Sequence, residues 1–415
     1  MLERILVERL KKWRCAALLG ARQVGKSYLL KEVLKTHPGT LITFDDPLEC
    51  AEAAKDPLRY LEQRYRPGEF CLIDEAARVP EIFRAVKILV DRYDPQPTGI
   101  CLANSGNFLL LKRIHESLAG RVSLLSIYPL SWQEIGGWHS RPGLLDLFAR
   151  RPPTIIASPA SFVELARTRS DRMAWGGYPQ PTLMTSSEDR IAWVRDYLKT
   201  YILPLVIEEF GIRDPGAFER AAALAFGQSA QFLNVAKIAQ RAGMSQPTTN
   251  QYLHHLEAMM VIERVPIFVK SVLTRVVKMP KLYVVDPLLM HHAVGTHMVL
   301  PMLPADERIG TLYESFVLGE VKKTLSNVNC AAVVSSWRTP DKTEVDLIIT
   351  GEQGPVPIEI KWSPKPSRRD ASGLNAFLAA HRDVPYGYLV YPGETVQQIA
   401  DKVFAIPDWW LLGCF

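Results

Sequence analysis

The chain has 415 residues, with 49 Lys and Arg against 44 Asp and Glu, and a formal charge of +5. At about 150 residues per domain, that length predicts two or three domains, each large enough to bury its own core. Hydrophobic residues make up 47% and charged residues 22%, which excludes a disordered or collagen-like chain. The six cysteines, Cys15, Cys50, Cys71, Cys101, Cys330 and Cys414, form no CxxC pair or Cys/His cluster. This argues against a disulfide framework and against structural zinc. The first residues, MLERILVERLKKW, alternate charge with Leu and Ile at helical spacing and do not read as a signal peptide. No apolar run approaches the ~18 residues of a membrane span. The expectation is a soluble cytoplasmic protein with no membrane partner.

Residues 15–36 carry the first motif. Cys15–Leu19 reads as a short buried strand, and Leu29, Leu30, Val33 and Leu34 give the apolar stripe of a helix that follows. Between them lies Gly20-Ala21-Arg22-Gln23-Val24-Gly25-Lys26-Ser27, which is G-x-x-x-x-G-K-S between a strand and a helix. Its two glycines let the backbone curl so that several N–H groups, from Gly20 to Tyr28, face one anion at a helix N-terminus. Lys26 supplies a point charge for the β- and γ-phosphates of ATP, and the Ser27 hydroxyl a ligand for Mg²⁺.

Glu69–Glu75 reads as a hydrophobic strand ending in Asp74 and Glu75, at the sheet edge where open α/β folds bind ligands. Asp74 is expected in the Mg²⁺ shell and Glu75 as the general base that takes a proton from the attacking water. A further strand, Gly99–Ala103, runs into Asn104 and Ser105. Either polar side chain is placed to sense the γ-phosphate. Leu41–Phe44 and Ser123–Tyr128 read as additional strands.

The middle of the chain is its basic part, since residues 216–280 hold seven Lys or Arg against three Asp or Glu. Val235–Ala242 reads as a helix closed by Gly243, and Ser245 as the N-cap of a second helix with Tyr252, Leu253, Leu256 and Met260 on its core face. The stretch Val261–Val269 reads as a wing. Two short helices around a tight turn are the helix-turn-helix signature. In a DNA-binding version Gln246, Thr248, Thr249 and Gln251 would face the groove. Lys237, Arg241, Arg264, Lys270, Arg275 and Lys278 would neutralise phosphates of DNA or RNA. The second helix carries His254 and His255 but no Arg or Lys, so a packing or protein-interaction role stays open.

Near the C-terminus, Gly310–Lys323 reads as a helix with Glu314 near its start. Glu344–Ile349 and Val356–Trp362 read as strands carrying Asp346, Glu359 and Lys361. Period two places Glu359 and Lys361 on one strand face. Carboxylates and a lysine around one divalent ion suit phosphodiester hydrolysis. The pattern resembles the restriction-endonuclease-like superfamily, (D/E)…D…(D/E)xK, whose members include both nucleases and non-cleaving binding scaffolds.

Several motifs occur in one order: GARQVGKS, FDDP (44–47), LIDEAARVPEIF (72–83), SLAGRV (117–122), YPLSWQEI (128–135), WGGYP (175–179), WVRDYLKTY (193–201), KMPKLYVVD (278–286) and GTLYESFV (310–317). Together they resemble a prokaryotic AAA+-type P-loop ATPase family with a C-terminal domain of unknown function. The resemblance implies an α/β chain in three parts: a P-loop parallel-sheet ATPase domain at 1–150, a helical and winged-helix region at 151–300, and a nuclease-like α/β domain at 301–415. It also implies that Arg121 contacts the γ-phosphate, in cis or from a neighbouring copy in a homo-oligomer; the competing reading is a structural pair with Glu116 or Glu134. Departures from the family pattern stand at Ala77, at Asn104-Ser105 and at Leu203-Pro204-Leu205. The resemblance implies an ATPase core; with the basic middle and the C-terminal pattern, the expected function is Mg-dependent binding and hydrolysis of ATP to ADP that controls a module acting on nucleic acid. A non-cleaving DNA-binding regulator and a protein-interaction ATPase remain as alternatives.

Overall fold

The computed structural model describes residues 15–94, 98–153, 162–269, 279–294 and 307–415. The first sheet contains β1 (Cys15–Leu19), β2 (Gly39–Thr43), β3 (Phe70–Asp74), β4 (Ile100–Ala103) and β5 (Ser123–Ser126). Their spatial order is β2-β3-β4-β1-β5, with every neighbouring pair parallel. Parallel pairing requires crossovers that cover the sheet, and β1, β3 and β4 are accordingly apolar and buried almost throughout. Because β4 lies between β1 and β3, the carboxyl ends of these three strands sit side by side. The sheet is that of a P-loop NTPase, as the motifs predict.

The helix after β1, Lys26–Thr36, buries Leu29, Leu30 and Val33. These side chains join one core with Trp193, Val194, Tyr197 and Tyr201 from the helical middle of the chain. Each large apolar side chain so buried contributes about 1.5–3 kcal/mol. The Ser187–Tyr197 helix is capped by Ser186 and widens into a π-helical turn, Leu198–Ile202, before Leu203–Phe210.

The basic region folds around a small antiparallel sheet of β6 (Gln231–Phe232), β7 (Ile262–Val265) and β8 (Lys281–Val284), ordered β6-β8-β7. The Val235–Ala242 helix ends at Gly243 in the left-handed region, and Ser245 caps Gln246–Ala258 through the Thr248 N–H. One expectation is corrected here. The helix stops at Ala258, so Met260 lies beyond it with φ 55°, and Met259 is the buried methionine. Of the wing stretch, Ile262–Val265 forms strand, and Ile267 makes a lone bridge to Ser336.

The C-terminal unit is a mixed sheet of β9 (Val333–Arg338), β10 (Glu344–Gly351), β11 (Gly354–Ile360), β12 (Gly387–Tyr391), β13 (Gln397–Ala400) and β14 (Val403–Pro407). Its order is β13-β14-β12-β11-β10-β9. The Glu307–Asn327 helix lays Phe316, Val317 and Val321 into a core with Leu347, Ile349, Val356 and Ile358. Trp132, Leu144 and Leu147 join that same core, and the Trp132 N–H donates to Glu320 at 2.7 Å. Residues 130–150, expected at the end of the first domain, therefore pack with the last. A buried pair, Arg169 with Asp408 at 3.1 Å, ties the Phe162–Trp175 helix to the same unit. Among the described residues no helix is long and apolar enough to cross a membrane.

Candidate functional site

The loop after β1 is shaped by close packing and left-handed backbone. A Cβ on Gly20 would lie 2.4 Å from the Ile127 carbonyl oxygen, so a side chain there would push the loop off the end of β5. Gln23 (φ 62°) and Gly25 (φ 95°) both adopt the left-handed region, which curls the chain before the helix begins. Ala21 and Val24 are buried in the core, leaving their backbone to the loop. Lys26 is only 7% exposed, and its ammonium donates to the carbonyls of Gly20 at 2.7 Å and Ala21 at 3.0 Å. Burial pushes its pKa down to about 8, against the opposing pull of Glu75 and Asp74.

These residues open onto a cavity of about 290 Å³ lined by Arg22, Gln23, Gly25, Lys26, Ser27, Tyr28, Asp45, Asp74, Glu75 and Ser105. The carboxyl ends of β1, β3 and β4 thus bring the expected residues together. Glu75 has φ 52°, and its carboxylate accepts from the Ser105 N–H and hydroxyl, both at 3.0 Å. Asp74 is nearly buried and accepts from the Glu75 N–H at 3.1 Å. Of the two sensor alternatives, Ser105 faces the cavity. Asn104 is buried and engaged with the Ala77 N–H and the Gly106 carbonyl. Ser27 and Asp74 present a hydroxyl and a carboxylate to the same cavity, an oxygen donor set that fits Mg²⁺ alongside phosphate oxygens and water.

Sequence reading missed Asp45, which lines the cavity and pairs with Arg78 at 2.9 Å; its only signal was FDDP. It also missed the links from the loop to the rest of the chain. Asn107 accepts from the Gly20 N–H at 2.9 Å and donates to the Ala258 carbonyl at 3.4 Å. Tyr197 donates to the Arg22 carbonyl at 3.3 Å, and the Arg22 guanidinium lies 5.0 Å from the Tyr201 ring centre. No local pattern announces contacts between residues so far apart in sequence.

Arg121 lies just ahead of β5, at the strand's amino end, whereas the phosphate loop sits at the carboxyl ends. It pairs with Asp91 at 2.5 Å. Neither structural partner considered for it is used, since Glu116 pairs with Arg113 and Glu134 closes a capping box with Ser131. A contact with the γ-phosphate inside one chain is therefore corrected: Arg121 and the cavity lie at opposite ends of the parallel strands.

On the pair of helices Val235–Ala242 and Gln246–Ala258, Gln246 and Gln251 are exposed and Thr248 half-buried. Thr249 is not a groove position. It is buried, with its hydroxyl on the Ser245 carbonyl. Asn250, which the sequence reading passed over, is exposed beside them. Lys237 and Arg241 are exposed, whereas Arg264 is engaged by Glu257 and Asn250. Lys270, Arg275 and Lys278 lie outside the described residues.

At the C-terminal unit, Glu314, Asp346, Glu359 and Lys361 do come together, but around an unexpected fifth member. Lys281, from β8, donates to Glu314 at 2.8 Å and to Asp346 at 2.9 Å. Tyr283 donates to Glu314 at 2.7 Å, the Ile360 N–H to Asp346 at 2.9 Å, and Lys361 to Glu359 at 2.7 Å. Burial, then the Asp346 charge, pushes Glu314 and Glu359 upward. Burial also acts on Asp346, but Lys281 and Lys361 hold it below the usual carboxylate range. Among the described residues no group of three His, Cys, Asp or Glu is placed to hold a metal ion. The expected metal site at Asp346 and Glu359 is corrected accordingly, because ammonium groups already hold its oxygens, Lys281 on Asp346 and Glu314, and Lys361 on Glu359.

The chain joins an AAA-type P-loop ATPase domain to a C-terminal domain of unknown function. Residues 12–136 match the model described as AAA domain, and residues 309–411 match Domain of unknown function (DUF4143). Between them, 167–299 match another domain of unknown function (DUF8612). Uncharacterized proteins of Mycobacterium tuberculosis and Mycobacterium bovis are each 28% identical over 395 residues, 94% of this chain and 79% of theirs. Among solved structures, the Walker-type ATPase of Pyrococcus abyssi is 17% identical, covering 71% of this chain and 96% of its own, with a TM-score of 0.40. The RuvB Holliday junction branch migration motor of Thermotoga maritima is 14% identical, covering 63% and 87%, with a TM-score of 0.28.

Proposed function

We propose that this chain binds and hydrolyses Mg·ATP at the Lys26–Glu75 cavity and uses the nucleotide state to reposition its helix-turn-helix unit on nucleic acid. The observation that carries the reading is the convergence of Lys26, Ser27, Asp74, Glu75 and Ser105 on one cavity. Lys26 and the loop amides bind the phosphates and fix their orientation. Bound Mg²⁺, held by Ser27 and Asp74, would neutralise developing charge. Glu75 takes the proton from the water that attacks the γ-phosphorus, and Ser105 orients the Glu75 carboxylate through its two hydrogen bonds. Arg121 would reach a phosphate only from a neighbouring copy, which makes a homo-oligomer part of the reading.

Coupling runs through Asn107, which joins the loop to the end of the Gln246–Ala258 helix. The exposed Gln246, Asn250 and Gln251, with Lys237 and Arg241 at the periphery, suit contact with a nucleic-acid backbone. The absence of Lys and Arg from the Gln246–Ala258 helix favours a second reading, in which this unit binds protein. Cleavage by the C-terminal cluster is not supported, because Lys281 stands between its carboxylates. The test is steady-state phosphate release with and without DNA or RNA. Stimulation that falls as salt rises supports the nucleic-acid reading, whereas turnover indifferent to both polymers supports the protein-binding one.

A further inference from the structure

The C-terminal cluster holds three buried or nearly buried carboxylates, Glu314, Asp346 and Glu359, against two ammonium groups. Lys281 is 3% exposed and touches two of the carboxylates, one from the Glu307–Asn327 helix and one from β10. An ammonium less than 3 Å from oxygens of two separate elements occupies the place of a bridging cation. The cluster is nevertheless incompletely satisfied. Glu359 is only 6% exposed, and among the described residues its Oε2 has no hydrogen-bond partner. A buried carboxylate oxygen without a partner is costly, and it is the kind of donor a hard divalent cation takes.

We infer that Lys281 is a built-in cation that excludes a divalent metal ion from the Glu314–Asp346–Glu359 cluster, so that metal enters only when Lys281 withdraws. The exchange is one ammonium out and one divalent ion in, with no bond to protein broken beyond the ion pairs. Lys281 belongs to β8, whose partners β6 and β7 flank the helix-turn-helix pair. The C-terminal site is thereby closed by the middle unit of the chain, not by its own domain. Removing the ammonium leaves the buried Asp346 with Lys361 as the remaining cation of the cluster, and an entering divalent ion would supply the lost positive charge. This inference goes beyond the ATPase reading and is independent of it, since no residue of the phosphate loop takes part.

The experiment is a Mn²⁺ titration of the full chain without nucleotide, read by electron paramagnetic resonance, on wild type, Asp346→Asn, Lys281→Gln and the double variant Lys281→Gln/Asp346→Asn. The expected result is one additional Mn²⁺ per chain in Lys281→Gln, bound at least about tenfold more tightly than any site in wild type, and lost again in the double variant. Lys281→Met, an apolar side chain of similar length, serves if the glutamine variant does not fold. A folded Lys281→Gln or Lys281→Met chain with no added site overturns the inference and leaves the cluster a purely structural ion network. A wild-type site of equal affinity that Asp346→Asn removes overturns it as well, because Lys281 would then exclude nothing.

Discussion

Two lysines of this chain are almost equally buried and stand in opposite electrostatic settings. Among the described residues the hydrogen-bond acceptors of Lys26 are the backbone carbonyls of Gly20 and Ala21, and burial lowers its pKa to about 8. Lys281 sits between two carboxylates. Burial acts against its charge there too, yet Asp346, Tyr283 and Glu314 hold its pKa well above the ordinary value. A buried ammonium with only neutral acceptors awaits an anion, whereas one between carboxylates is already satisfied. The first setting marks a binding site and the second a lock.

The largest effect is expected at Glu75. Glu75→Gln keeps the shape of the cavity but removes the base, so turnover is expected to fall by about 10²–10⁴-fold while nucleotide affinity is retained, as single-turnover and binding assays on one preparation would report. A second buried ion pair checks the lock side. Asp408→Ala leaves Arg169 buried and unpaired, and should cost about 3–5 kcal/mol in denaturant unfolding. Lys26→Ala removes charged hydrogen bonds to phosphate worth about 1.5–3 kcal/mol, an expected loss of roughly 10- to 100-fold in ATP affinity by equilibrium titration. The smallest effect is on pH. The free Lys26 ammonium deprotonates near 8, whereas bound phosphate favours its charged form. Nucleotide binding should therefore take up a proton above about pH 8, and affinity should fall as pH rises, by at most about tenfold per unit. A Kd series from pH 7 to about 9.5 that stays flat would place Lys26 outside the phosphate contact.

The phosphate site was legible in the sequence because its chemistry is local. Gly20 to Ser27 form one loop, and Asp74 and Glu75 end a strand whose apolar run announces it. Pairing order was not legible: nothing in residues 100–105 says that β4 inserts between β1 and β3, which is what brings Ser105 to Glu75. Arg121 shows the limit of motif transfer, since its loop was recognised but its edge of the sheet depends on strand direction. Lys281 shows another. Glu314, Asp346, Glu359 and Lys361 all stand in one C-terminal stretch, whereas the cation that completes them comes from β8, a strand of a different sheet. The side-chain alternation that grouped Glu359 with Lys361 acts within a strand and is silent about what another sheet delivers. Thr249 failed for a simpler reason, because a helix position between half-buried Thr248 and exposed Asn250 turns inward.

On binding ATP, Lys26 should give up its backbone carbonyls for the phosphates. This exchange is tested most directly by a crystal structure of the chain with Mg²⁺ and a non-hydrolysable ATP analogue. The expected result is that the Lys26 ammonium leaves the Gly20 and Ala21 carbonyls for the β- and γ-phosphates, with Ser27 and Asp74 around the metal and Glu75 facing the γ-phosphate. An analogue bound elsewhere, or bound there with Lys26 still on its carbonyls, would contradict it.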